Sequence, residues 1–457
     1  TLAVAYADGR VQLARGSDDA DPIIIDSGLR LRECKWDTRG TTLALAGTSE
    51  EKKDAVVRFY SPKGVKLRSL KVPGGGINAL SWEGGGLRIA LAVDAYIYFA
   101  NVRPEHKWGL FAGEVIVAAY QPPERSGTAL VFWDLRTGDK VKKRANGLRH
   151  VKAIGDHCVT ICDEVDIQSK KTTHAIKLRD AIGVVVEERE SPLAPKYCSL
   201  TAHFCLVASE RYVYVWQFAR QQSVKGREQK MQKELISLRE AGGREKVLDV
   251  EDGSSLPLNE FREDDERMRD PITAITASEK ALFVGRRNGD VYEYALPTLR
   301  QKCVHRYHSA PWLLRVNCDA SKIAVVDAHG RLGVLDLSAA DPERRKVVRD
   351  EFSEEKEEKK DSEDVQPVMK LERKDCWDVL WAEDDADSFA AMEKTRLCVY
   401  KNLEPEEPVV CSGYLASFKD LQVTSVVLEH VVQSPDKVQK DSVVNNDTAR
   451  LRELKDK

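Results

Sequence analysis

LSWEGGGLRIALAV, from Leu80 to Val93, is the stretch whose reading decides the fold. It holds an apolar residue, a Trp, a polar turn and then a run of small and branched apolar residues. The same phrase returns as CKWDTRGTTLALAG (Cys34 to Gly47) and VLWAEDDADSFAAM (Val379 to Met392). RVNCDASKIAVVD (Arg315 to Asp327) is a copy without the Trp. A second phrase is a turn followed by strict alternation: DGRVQLA (Asp8 to Ala14), NGDVYEYAL (Asn288 to Leu296) and HGRLGVLDL (His329 to Leu337). ALVFWDL (Ala129 to Leu135), RYVYVWQF (Arg211 to Phe218) and TRLCVYKNL (Thr395 to Leu403) follow the same rule, and Trp133-Asp134 is a literal Trp-Asp dipeptide at a strand end. Alternation with period two behind an Asn-Gly or Asp-Gly turn is the signature of a β-hairpin.

The two phrases join. The Trp phrase supplies two strands and the alternating phrase the next, which makes most of a four-stranded antiparallel blade. One blade cannot bury both faces, so blades must stack around an axis. The reading is a β-propeller chain of about ten blade-like units. These centre near residues 5, 45, 90, 130, 160, 205, 285, 325, 390 and 420. Rings close with roughly four to eight blades. Ten units therefore make the end of one ring, residues 1–113, and the whole of a second, residues 114–430, with the junction between Gly109 and Glu114. The innermost strands are expected to be the LALA, IALA and IAVV runs. Trp82→Ala is expected to cost about 3–5 kcal/mol, as for a buried large side chain.

Two charged insertions interrupt this grammar. Residues 221–270 open with Met231, Leu235 and Leu238 at helical spacing, so a docked helix competes with a solvated loop, and the loop is favoured. Residues 340–368 contain SEEKEEKKDSED, a charge block with no apolar face. Residues 431–457 are expected to be a linker and the start of a helical region, with Asn446 or Asp447 as N-cap before TARLRELKDK. The chain reads as a fragment, since Thr1 already lies in an apolar strand.

Net charge is −3 with 32% charged residues, so no global field attracts nucleic acid or an anionic surface. No apolar run approaches the roughly 20 residues of a membrane helix, which leaves peripheral membrane contact open. The ten cysteines stand singly in apolar runs without a CxxC, the usage of buried thiols in a reducing compartment. His157, Cys158 and Cys162 come nearest to a metal cluster but lack a second ligand pair. Gly74–Gly76 and Gly84–Gly86 are better turns than phosphate loops, because no helix opens behind them. His305, His308 and His329, with Asp327, could meet on neighbouring strands, yet an oriented base, a nucleophile and a pocket are all needed for catalysis. No nucleophile elbow, Walker loop or HExxH occurs, and no oxygen-rich calcium loop follows Asp290. The expectation is no catalytic residue, no cofactor, no metal and no nucleic-acid partner.

Longer stretches carry a resemblance. Leu80 to Gly109, Arg269 to Pro297, Asp375 to Ala382 and Phe389 to Gln422 resemble the WD-repeat protein thirty-five family of intraflagellar transport complex A. The likeness runs from about Ala3 to the C-terminus and weakens only in the two insertions. It implies tandem WD40 β-propellers, the end of a first and all of a second, followed by the start of a tetratricopeptide-like α-helical array. It also implies a non-enzymatic scaffold of cytoplasm, cilium or flagellum and basal body, serving retrograde transport and import of ciliary membrane proteins. The implied partners are the other complex A subunits, both WD-repeat and tetratricopeptide, with ciliary membrane cargo or adaptors beside them. The alternative is a coatomer-like vesicle-coat subunit, which shares the layout. A tubby-like protein with related WD repeats is a closer rival but a less favoured one, and a tubby domain elsewhere in the full protein would decide for it. An enzyme with its site in the central channel is disfavoured by the apolar runs taken as innermost.

Overall fold

The computed structural model describes residues 1–447 except 7, 17–18, 39, 41, 51–53, 84–87, 103–105, 123–126, 166–171, 219–243, 263–267, 338–368, 395, 412, 434 and 437–442. Among the described residues the chain forms ten antiparallel sheets. It divides into two compact units, Thr1–Glu105 and His106–Lys457.

The first unit carries three sheets, over residues 2–26, 29–72 and 77–101. These are called the leading blades. The second carries seven, over 108–144, 148–191, 197–257, 272–306, 311–373, 376–410 and 414–447, numbered here ring blades 1 to 7. In the ring, the first strand of each blade lies beside the first strand of the next. The first strand of blade 7, Tyr414–Lys419, returns to that of blade 1, Trp108–Phe111. A closed seven-bladed propeller results, and its division from the first unit precedes Trp108. The junction expected between Gly109 and Glu114 would instead cut a hairpin, because Phe111 pairs with Val115.

The innermost strands differ from expectation. The Trp-bearing strands Leu29–Trp36, Ile77–Trp82 and Cys376–Trp381 are the first of their blades, and the LALA, IALA and IAVV runs lie in the second strands. The second strand has a neighbour on either side and blades on both faces, so continuous small apolar residues suit it better. These apolar runs therefore do not line the channel and say nothing against a site there.

Two contacts explain why the phrases recur. First, Trp82 Nε1 donates to the Lys35 carbonyl at 3.1 Å, and Trp381 Nε1 to the Arg315 carbonyl at 2.9 Å. Each indole ties its blade to the first strand of the blade before it. Trp36 occupies the same position in the second leading blade; its Nε1 is buried and has no partner among the described residues. Trp82 is only half-buried, against Phe59 at 6.0 Å, so its removal costs less than a core Trp. A loss of about 1–3 kcal/mol replaces the expected 3–5.

Second, the turn glycines of the alternating phrase are positional. Gly9, Gly289 and Gly330 have φ of 89°, 100° and 77°. Their carbonyls accept from the amides of Ser27, Tyr307 and Cys376 at 3.1, 3.0 and 2.8 Å, where the chain enters the next blade. A Cβ on Gly9, Gly289 or Gly330 would lie 2.5, 2.3 or 2.9 Å from a backbone oxygen. No side chain fits there, and the conformation itself favours glycine.

The seam between blades 7 and 1 is aromatic. Tyr414 meets Trp377 of blade 6 at 5.5 Å, Trp108 of blade 1 at 6.3 Å and His106 at 5.2 Å, each edge to face. The short helix Leu428–Gln433 sets Leu428 and Val431 into the same cluster as Ile116, Val131 and Trp133.

Two sequence-based segments are corrected. Within 221–270, Glu245–Asp249 and Ser255–Pro257 are the fourth and fifth strands of blade 3, with Val247 and Leu248 buried. The open edge of Tyr212–Gln217 needs a partner for its amides and carbonyls, and this strand supplies one. Met231, Leu235 and Leu238 lie outside the described residues, as does all of 340–368. The candidate N-cap residues Asn446 and Asp447 belong instead to the strand Val443–Asp447, which pairs with Gln422–Val426 and completes blade 7. No helical array is seen among the described residues, and TARLRELKDK falls outside them.

Candidate functional site

Of the polar groups singled out in the sequence, the structure sets Asp327 and His329 together at one turn, while His305 belongs to a different cluster. Asp327 caps a turn: its Oδ1 accepts from the amides of His329 and Arg331 at 2.8 and 2.9 Å, and its Oδ2 from the Ser309 hydroxyl at 2.9 Å. Burial pushes its carboxyl up, but these donors outweigh burial and hold it below the usual carboxylate value. The His308 ring lies against Tyr307 at 4.1 Å. His157 packs edge-on to Phe218 at 5.2 Å, while Cys158 and Cys162 are buried in the cluster around Phe132 and Leu148. Burial pushes the Cys158 thiol up to about 12, so it stays protonated and acts as a small apolar side chain. None of the ten cysteines is in a disulfide.

One cluster does form, in ring blade 4. Glu293 on the strand Asp290–Ala295 lies directly opposite Cys303 on Gln301–Arg306. His305 follows two residues on, opposite Val291, and so shares that face. Glu293 Oε2 is 3.1 Å from Cys303 Sγ and 3.2 Å from His305 Nε2, and the sulfur is 3.3 Å from that nitrogen. The other carboxylate oxygen, Oε1, is 3.5 Å from Lys302 Nζ. Glu293 and His305 are 2% and 0% exposed; Cys303 is partly exposed. Burial raises the Glu293 carboxyl, yet the hydrogen bonds from His305 and Cys303 prevail and hold it low, so it is ionised.

This is not a nucleophilic triad. Thiol and carboxylate meet the same ring nitrogen, whereas an orienting carboxylate must grip the other one. His305 Nδ1 is buried and has no partner among the described residues. The sequence reading singled out His305 but missed Cys303, whose Cys-x-His spacing puts both side chains on one strand face. The cross-strand register that adds Glu293 was not visible in the sequence.

The remaining feature is surface. Where the third strand of blade 2, Thr172–Arg179, turns into the fourth, Val185–Ser191, the residues Ile182, Val184 and Val186 are 56%, 46% and 65% exposed. In the third leading blade, Tyr96, Ile97 and Phe99 on the outer strand Tyr96–Asn101 are exposed as well. Exposed apolar side chains at these two places are candidate contact surfaces. No helix among the described residues is long and apolar enough to cross a membrane.

Comparison with known proteins agrees with this architecture. Residues 108–447 match the family model described as the WDR35 second beta-propeller, and residues 1–103 match the WDR35/TULP4 N-terminal model. WD repeat-containing protein 35 of Homo sapiens is 35% identical over 469 residues, covering 99% of this chain and 38% of its own length. The Mus musculus protein of the same name is 34% identical with the same coverage. Tubby-related protein 4 of Mus musculus is 29% identical over 121 residues, which is 23% of this chain and 8% of that protein. The chain thus spans less than two fifths of the length of the WD repeat-containing relatives it matches. With matched propeller segments in both units and identity maintained along nearly all of its length, the chain belongs to the WDR35 family.

Proposed function

We propose that the chain serves as part of a non-enzymatic scaffold subunit of intraflagellar transport complex A, working through protein-protein contacts. The observation that carries this reading is the family match along 99% of the chain. In this reading the protein resides in the cytoplasm, the cilium or flagellum and the basal body. Its partners are the other complex A subunits, and it supports retrograde transport and import of ciliary membrane proteins. The fold suits the role: a closed propeller holds many loops on a rigid frame, so contact surfaces vary without disturbing the core. The apolar hairpin tip at Ile182, Val184 and Val186 is one surface of the kind a neighbouring subunit covers.

The test is affinity purification of the tagged full-length protein from ciliated cells, with identification of the co-purifying chains. Recovery of complex A subunits is the expected result. Recovery of coatomer or other vesicle-coat subunits in their place would keep the fold and overturn the function. A paired Val184→Glu, Val186→Glu variant should lose part of the recovered set; an unchanged set would remove that tip from the interface.

A further inference from the structure

We propose that Glu293, Cys303 and His305 form a three-ligand Zn²⁺ site that pins the two outer strands of ring blade 4. Three different ligand atoms, a carboxylate oxygen, a thiol sulfur and an imidazole nitrogen, stand 3.1–3.3 Å from one another. Among the described residues this is the only group of three such side chains whose ligand atoms all come within 4.8 Å. A tetrahedral zinc with Zn–O, Zn–N and Zn–S near 2.0, 2.0 and 2.3 Å sets ligand edges of about 3.3 Å for O to N and about 3.5 Å for the two to sulfur. The observed edges are shorter by about 0.4 Å at most, which small side-chain rotations supply.

The surroundings suit a cation. The three side chains face the apolar cluster of Val291, Tyr307, Leu335 and Leu337 between blades 4 and 5. A carboxylate that is 2% exposed there is costly unless strongly paired. Its Oε1 is turned to Lys302, which leaves Oε2 directed at the thiol and the imidazole, as an outer partner orients a metal ligand. Without an ion, Oε2, Sγ and Nε2 crowd one another with at most two hydrogens to share. A divalent ion draws on a lone pair from each. Binding releases the thiol proton to solvent and shifts the imidazole hydrogen from Nε2 to Nδ1, which frees the Nε2 lone pair; thiolate plus carboxylate then balance the two positive charges. Mixed S, N and O donors favour zinc over magnesium or calcium, which prefer oxygen. Cys303 is the partly exposed member, so its side is the way in, and a water fills the fourth position.

The experiment uses the full chain, reduced and stripped with a chelator, then titrated with Zn²⁺ and separately with Co²⁺ as a coloured substitute. Site-resolved alkylation by mass spectrometry is followed alongside. The expected result is one ion per chain, a cobalt-thiolate charge-transfer band that Cys303→Ser abolishes, and at least tenfold slower alkylation of Cys303 with zinc present. Exposed Cys318 serves as the internal control and should react at an unchanged rate. Equal alkylation of Cys303 with and without zinc in the unaltered protein would overturn the site, and this arm requires no variant to fold. Undiminished binding in both Cys303→Ser and His305→Gln would overturn it equally.

Discussion

Replacing Trp381 with Phe tests whether indole hydrogen bonds between blades carry measurable energy. Trp381 is 5% exposed, lies 4.9 Å from Phe389 and donates to the Arg315 carbonyl of the preceding blade at 2.9 Å. Phe keeps most of the ring but removes the N–H. Loss of this partly buried hydrogen bond costs about 1–2 kcal/mol. The small void left by the missing ring atoms adds about 1 kcal/mol. The sum, about 2–3 kcal/mol, corresponds to a rise of roughly 30- to 160-fold in local opening. A chain of two units need not unfold in one step, so a single melting midpoint is the wrong measure. Native-state hydrogen exchange on the strands Pro311–Val316 and Cys376–Trp381 is the right one. The loss should be confined to blades 5 and 6, and Trp82→Phe, at a half-buried position, should show about a third of it or less. A change below threefold for Trp381→Phe would refute the reasoning, since the blades would then be held by apolar packing alone.

Three further outcomes follow from the same contacts. Gly289→Ala forces a methyl to within 2.3 Å of the Tyr307 carbonyl at φ 100°, and should destabilise blade 4 by at least about 2 kcal/mol in hydrogen exchange or proteolysis rate. Tyr414→Ala empties the aromatic seam and should expose blades 7 and 1 to limited proteolysis first, at a cost of about 3–5 kcal/mol; cleavage starting elsewhere would show that the ring is closed by other contacts. His150 is pushed down to about 4 by burial, with Lys152, Lys107 and Arg149 adding to the effect, while its Nε2 reaches the Pro195 carbonyl at 3.3 Å. Between pH 6.5 and 4 the unfolded chain therefore binds the extra proton. Stability should fall as pH drops through that window, by at most about 3 kcal/mol, and level off below it. His150→Asn should flatten that part of a pH-stability profile, and an unchanged slope would assign it to other groups.

Much of the fold was legible because the signals are local. Period-two alternation in NGDVYEYAL and the glycine at position 289 state a hairpin within nine residues, and in the blades that carry it the Trp phrase states the first two strands. The candidate cluster was half legible. Cys303 and His305 share a strand face by spacing alone, but Glu293 joins them through a pairing register shifted between Glu293 and Tyr294. Asn446 misled for a related reason: capping residues and mixed charges suit a helix start, yet the edge of Gln422–Val426 offered backbone partners and drew the segment into a strand.

By itself, then, the sequence determined strand type, turn position and the number of blades, all consequences of side-chain alternation and backbone freedom over a few residues. Only the tertiary structure decided which strand of each blade lies innermost, that Glu245–Asp249 completes blade 3, and that Tyr414 joins blades 6, 7 and 1. Those outcomes depend on which open strand edge and which apolar face find partners far along the chain, and no local pattern encodes that pairing.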